Sequence, residues 1–195
     1  MVTSDQKLKA FFEDTIFDID DENAIDAFFN NYSACQVIQC LFDKLKSLST
    51  EGYSDEPSWL LGGIFGRISN KYSVDTQLFP LLYTGTLVEK QVFLNFLSGY
   101  VGSAEPDVEI VVKIAEEIAY IIANPDDLKW DPKTIALGIE AVFLAYLNLN
   151  NKKLFHVEKI IENKLIQMLK VFKAYLSNFL PKSQVYQLLL RHFHE

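Results

Sequence analysis

The feature that most constrains the fold is the spacing of the apolar residues, which recurs every three or four positions in almost every long segment. Residues 107–123 carry two apolar stripes. The first contains Val108, Val111, Ala115, Ile118 and Ile122, and the second contains Ile110, Ile114 and Ile121. This period is that of an α-helix, and apolar residues on two sides indicate a helix packed between neighbours. The β-forming runs 92–94 and 110–112 lie inside such periods, so we predict no strand.

The same period predicts an all-α chain of about nine to ten helices. They are expected over 4–17, 22–31, 33–48, 57–70, 74–84, 87–101, 106–123, 133–149, 154–179 and 183–194. Several ends carry their own signals. Thr86 and Glu89 have the spacing of a capping box, and Asp131 before Pro132 is an N-cap followed by a proline in the first turn. Asn124 before Pro125 is predicted to end a helix.

The connections between these helices are short, and none has the composition of a domain boundary. A chain of 195 residues that is 49% hydrophobic is therefore predicted to be a single helical domain over 1–195. Four antiparallel helix pairs are expected: 22–31 with 33–48, 57–70 with 74–84, 87–101 with 106–123, and 133–149 with 154–179. Such pairs are typical of a HEAT-like short solenoid. An irregular orthogonal bundle fits the pattern almost as well.

Composition excludes several classes of protein. The apolar content excludes a disordered chain. With 18 basic and 26 acidic residues the net charge is −8, which disfavours nucleic acid as a partner because nucleic-acid binding needs a cationic surface. Uninterrupted apolar runs such as 118–123 are far short of the ~20 residues that cross a bilayer. With no apolar signal near the start, we expect a cytoplasmic protein without a membrane span.

The sequence contains no motif for catalysis, for a metal or for a cofactor. Cys35 and Cys40 do not share a helix face, so no disulfide is expected, and at least one of them is predicted to be buried. The histidines are predicted to lie on the surface, and no set of four Cys or His ligands exists. Gly62 and Gly66 share a helix face and predict close helix packing, because the lysine and hydroxyl residue of a phosphate loop are absent.

Charge is distributed unevenly along the chain. Residues 1–150 contain 10 basic and 23 acidic residues, whereas 151–195 contain 8 basic and 3 acidic residues. The lysines of this basic end are expected to be the solvent-facing side of a packed helix. The acidic segment, defined as residues 13–26, has seven acids and no base. Its expected partner contacts are Asp18, Asp20, Asp21, Glu22 and Asp26. Solvated helix caps are the plainer interpretation of such charges.

These features together favour a non-catalytic protein-binding module whose partner is another protein with a basic surface. One concrete form is an acidic inhibitor of the immunity type, which presents carboxylates to the basic active site of a nuclease toxin in place of phosphates. A helical-repeat scaffold or adaptor is the first alternative. A helical receptor or enzyme with an apolar ligand pocket is the second, which the 15 phenylalanines permit.

Overall fold

The regular structure of the chain is helical throughout the part described by the computed structural model, which covers 4–13, 22–50, 55–68, 72, 78–103, 106–124, 130–152 and 154–179. Within these ranges there are nine α-helices and no strand. They are α1 (Ser4–Glu13), α2 (Glu22–Phe29), α3 (Ala34–Thr50), α4 (Asp55–Arg67), α5 (Pro80–Thr84), α6 (Leu87–Gly102), α7 (Val108–Ala123), α8 (Pro132–Asn151) and α9 (Phe155–Phe179). The all-α prediction is confirmed, and the helix expected over 183–194 lies outside the described residues.

Helix ends follow the predicted capping signals. The Thr86 hydroxyl accepts from the Glu89 amide at 3.3 Å, and the Glu89 carboxylate accepts from the Thr86 amide at 2.7 Å, which completes the capping box. Asp131 accepts from the Thr134 amide at 2.8 Å and caps α8. These reciprocal bonds satisfy main-chain donors that the first helical turn leaves without partners.

The helix predicted over 74–84 is described only from residue 78 onward. Leu78 is helical, Phe79 forms a turn, and α5 begins at Pro80, which occupies a first-turn position. Proline has no amide hydrogen and its ring collides with the preceding turn, so it opens a helix readily and interrupts one it lies within. Residues 73–77 lie outside the described part of the chain.

The chain divides into two compact units, 1–107 and 108–195. In the first unit, α6 is buried from Lys90 to Val101 without interruption. Its most extensive contact is with α4, from which it is separated in sequence by α5. The predicted antiparallel pairs are therefore not confirmed, and the single-domain assignment for 1–195 stays a prediction.

Glycines set the distance between α4 and α6. A Cβ atom placed on Gly62 would overlap the Phe96 carbonyl oxygen and lie 2.8 Å from the Tyr100 amide nitrogen. A Cβ on Gly66 would overlap the Tyr100 carbonyl oxygen, and one on Gly99 the Trp59 carbonyl oxygen. The two helices thus touch through their main chains, which confirms the close packing predicted from Gly62 and Gly66.

An aromatic cluster surrounds this contact and extends to α1 and α2. Its ring-to-ring contacts connect Phe11, Phe12, Phe28, Phe29, Tyr32, Phe65, Tyr72, Phe93, Phe96 and Tyr100. Phe29 and Phe65 are fully buried near its centre, whereas Phe11, Phe28 and Tyr32 are half-buried at one end. Rings bury a large area per residue, so the cluster is the main apolar core of the first unit.

The second unit is built from α7, α8 and α9, each of which contacts the other two. Its buried side chains are mostly aliphatic, with Ile114, Ile118, Ile139, Val142 and Leu165 among them. The two apolar stripes predicted for α7 are buried except at the half-buried Val108. On α9, Ile161, Leu165 and Met168 are buried while Lys159 is exposed, as expected for the described part of the basic end.

Candidate functional site

The structure describes the acidic segment only at its two ends. Glu13 is the last residue of α1 and is exposed, and Glu22 is the first residue of α2. Asp26 lies in α2 and is half-buried. The remaining predicted contacts, Asp18, Asp20 and Asp21, lie outside the described residues. Of the five predicted contacts, only the Asp26 side chain therefore has described surroundings.

Both helices that flank the acidic segment are held by the aromatic cluster. Phe11 of α1 stacks on Phe28 of α2 with ring centroids 5.0 Å apart, and it meets Phe29 edge-on at 5.0 Å. Phe12 lies 6.1 Å from Phe29. Because these rings are part of the core, α1 and α2 hold a fixed position relative to each other. The acidic residues between them are joined at each end to a packed helix.

Asp26 lies beside a buried phenol. Burial raises the pKa of Tyr72, and the negative charge of Asp26 raises it further because it disfavours a second anion nearby. Asn30 donates a long hydrogen bond of 3.4 Å to the Asp26 carboxylate. Asp26 is therefore half-buried on a helix that the aromatic cluster holds in place.

A groove between α1 and α3 borders the acidic segment at Glu13. Its volume is about 460 Å³, and it is lined by Lys9, Phe12, Glu13, Cys40, Asp43, Lys44 and Ser47. The Phe12 ring is buried and forms an apolar part of the wall, and Cys40 is half-buried. No local pattern in the sequence identifies this groove, because it depends on a contact between two helices that are not adjacent in the chain.

The two cysteines differ from their predicted surroundings. Both are free thiols, as expected, but Cys35 is exposed and Cys40 is only half-buried, so the prediction that at least one is buried is wrong. The buried stripe of α3 follows Val37, Ile38, Leu41, Leu45 and Leu48, and both cysteines fall beside it. The helix turns these two positions away from the core, although Val37, Ile38 and Leu41 nearby are buried.

Helix α6 carries buried polar side chains that sequence analysis did not identify. Lys90, Gln91, Asn95 and Ser98 are each at most 7% exposed. Burial lowers the pKa of Lys90 because the charged form loses hydration. Gln91, Asn95 and Ser98 recur at helical spacing, so they follow one face of an otherwise apolar helix.

The described residues include one long apolar helix and no metal-binding group. No group of three or more His, Cys, Asp or Glu side chains is placed there to hold a metal ion. One described helix, α8, is long and apolar enough to cross a membrane, and 56% of its most apolar window is buried. Buried core helices meet the same criteria, so α8 gives only weak support for a span.

The site and the fold define this chain as an all-α protein with an acidic segment attached to an aromatic core. No protein family, curated protein or solved structure matches it.

Proposed function

We propose that this chain is a non-catalytic protein-binding module that docks a basic partner protein through the acidic segment, and that it acts in the cytoplasm without a membrane span or a nucleic-acid partner. The observation that carries the proposal is the concentration of charge, seven acids and no base within 13–26. Such a concentration raises the rate at which a basic surface encounters the protein.

The attachment of the acidic segment supports a binding role. Its flanking helices are packed through Phe11, Phe28 and Phe29, and the negative charge of Asp26 contributes to the raised pKa of Tyr72. A segment anchored at both ends loses less conformational entropy when a partner orders it than a free tail does. An immunity-type inhibitor, which blocks a basic active site with carboxylates, would use these properties directly.

The arrangement of helices bears on the alternative of a repeat scaffold. A HEAT-like solenoid places consecutive helices in contact, whereas the most extensive contact in the first unit joins α4 to α6 and passes over α5. This contact favours the irregular bundle for the first unit. An irregular bundle in turn favours a local binding site and not the extended concave surface of a solenoid.

The proposal is tested by removing charge from the acidic segment without changing its length. The variant Asp18→Asn/Asp20→Asn/Asp21→Asn and the wild-type protein are immobilised, and proteins retained from the native lysate are identified by mass spectrometry. Each retained basic protein is then purified, and its association rate is measured at low and at physiological salt. We expect the variant to bind about tenfold more slowly at low salt, with a smaller difference at higher salt.

A matched control removes the same number of charges elsewhere. Glu116→Gln/Asp126→Asn/Asp127→Asn changes the net charge equally and leaves the acidic segment intact. If both triple variants slow association equally, overall net charge explains the effect, and the acidic segment is not the binding site. If the purified partner is a toxic nuclease, inhibition of its activity by wild-type protein and not by the segment variant supports the immunity-type function.

A further inference from the structure

Helix α4 carries an exposed tryptophan on a main chain that is held in place. Trp59 is 48% exposed, whereas Trp130, the other tryptophan of the chain, is 7% exposed. The Trp59 carbonyl oxygen occupies the space that a Cβ on Gly99 of α6 would need, so this turn of α4 lies directly on a buried helix. Tryptophan is enriched among the residues that contribute most to protein interfaces, and a fixed main chain lowers the entropy lost on binding.

The solvent-facing side of α4 around Trp59 combines a carboxylate with open space. Glu56, three positions earlier, and Gly63, four positions later, share the helix face of Trp59. Glu56 is exposed, and a Cβ on Gly63 would meet nothing within 4 Å. The nearest cation along α4, Arg67, lies eight positions beyond Trp59. Within the described part of the chain, neither another ring nor a cation stacks on the indole.

This combination favours a cation that is also planar. The face of an indole attracts cations, and a guanidinium group can stack on it while its N–H groups donate to a carboxylate. An ammonium group is a strongly hydrated point charge and does not stack in this way. The open space at Gly63 allows the main chain of a partner to approach α4 closely. The net charge of −8 makes the protein complementary to a cationic partner.

We propose that Trp59 and Glu56 bind an arginine side chain of the partner protein, at a second contact outside the acidic segment. The guanidinium group stacks on the indole and donates hydrogen bonds to the Glu56 carboxylate, and the space at Gly63 accommodates the partner's main chain. This inference rests on the proposed function for the basic character of the partner. It adds a preference for arginine over lysine, which negative charge alone does not provide.

Two peptides of equal length and charge test this preference. Both carry a neutral fluorophore and alternate glycine with a basic residue, which is arginine in one peptide and lysine in the other. Fluorescence anisotropy gives their dissociation constants. We expect the wild-type protein to bind the arginine peptide about threefold more tightly, and Trp59→Leu to remove this difference. In Trp130→Phe protein, where Trp59 is the remaining tryptophan, unlabelled arginine peptide is expected to reduce quenching of the tryptophan fluorescence by acrylamide.

A second variant blocks the site without removing the indole. Gly63→Gln fills the open space beside Trp59, and because its Cβ meets nothing within 4 Å we expect the fold to be retained, which thermal melting checks. It is expected to weaken binding of the arginine peptide about as much as Trp59→Leu does. Tyr120→Leu is the matched control, since it removes an aromatic ring that is 62% exposed on α7. It is expected to bind both peptides as wild type.

Equal affinity of the wild-type protein for the two peptides would overturn the proposal. So would an absence of binding by the arginine peptide, or a preference that survives in both Trp59→Leu and Gly63→Gln. Asp18→Asn/Asp20→Asn/Asp21→Asn is expected to weaken binding of both peptides equally and to keep the preference for arginine. If this triple variant binds both peptides as wild type does, the acidic segment fails as a docking site, whereas loss of the arginine preference in Trp59→Leu still supports the second contact.

Discussion

The two units of the chain bring their helices together in different ways. In the first unit, α4 and α6 touch main chain to main chain, and a Cβ on Gly62 would overlap a carbonyl oxygen. In the second unit, a Cβ on Gly138 would meet only side-chain atoms, Ile118 Cγ2 at 3.1 Å, Trp130 Cζ3 at 3.2 Å and Ile122 Cδ1 at 3.3 Å. Side chains can move by a few tenths of an ångström, whereas a helix backbone cannot. The first unit therefore has the less adaptable core.

The largest expected effect comes from the aromatic cluster of the first unit. Phe65 is fully buried, and its ring lies 5.7–6.3 Å from the rings of four neighbours. Phe65→Ala removes these contacts and leaves a cavity, so we expect the free energy of unfolding to fall by about 4 kcal/mol. Urea titration measures the change. Phe28→Ala, at the half-buried end of the cluster, is expected to lower the free energy of unfolding by less than half as much. A larger loss for Phe28→Ala than for Phe65→Ala would contradict the assignment of the cluster as the core.

The next largest effect tests the contact between main chains. Gly62→Ala forces α4 away from α6, and we expect a loss of about 3 kcal/mol in the free energy of unfolding. Gly63→Ala is the matched control in the same helix, because a Cβ there meets nothing within 4 Å. Its higher helix propensity is expected to make it neutral or stabilising by up to about 1 kcal/mol. Similar thermal melting of the two variants would mean that α4 and α6 are not held at backbone distance.

The smallest effect is expected at the corresponding glycine of the second unit. Gly138→Ala gains helix propensity and meets only the ends of aliphatic and aromatic side chains, so the change in unfolding free energy should stay within about 1 kcal/mol. The same urea titration checks it. If Gly138→Ala lowers the free energy of unfolding as much as Gly62→Ala does, the two units do not differ in how tightly their helices are packed.

Helix positions follow from local sequence, and most of them were predictable. The predicted segment 154–179 and the observed Phe155–Phe179 differ by one residue at one end, because apolar periodicity and capping residues act within a few turns. Within the predicted segment 74–84, the turn at Phe79 before Pro80 interrupts the described helix. The N-caps at Thr86 and Asp131 were predictable because a cap involves residues only three positions apart.

Helix partners and the groove were not predictable from local patterns. Gly62 indicates that some helix approaches closely, but its own neighbours in sequence do not reveal that this helix carries Phe96. Similarly, Lys9 and Lys44 line one groove only because α1 packs on α3. For the partner site, the sequence supplied the charges, and the structure describes only the surroundings of Asp26 among the five predicted contacts.

The main-chain contact between α4 and α6 also bears on how the first unit assembles. Interlocking side chains can form a loose interface that tightens by degrees, but two bare helix surfaces gain dispersion energy only within a few tenths of an ångström of contact. We therefore expect the interface between Gly62 and Phe96 to form cooperatively once the two helices have come together. Before that event both helices would expose apolar surface, and we expect newly made chain to be most prone to aggregate between the synthesis of α4 and the completion of α6.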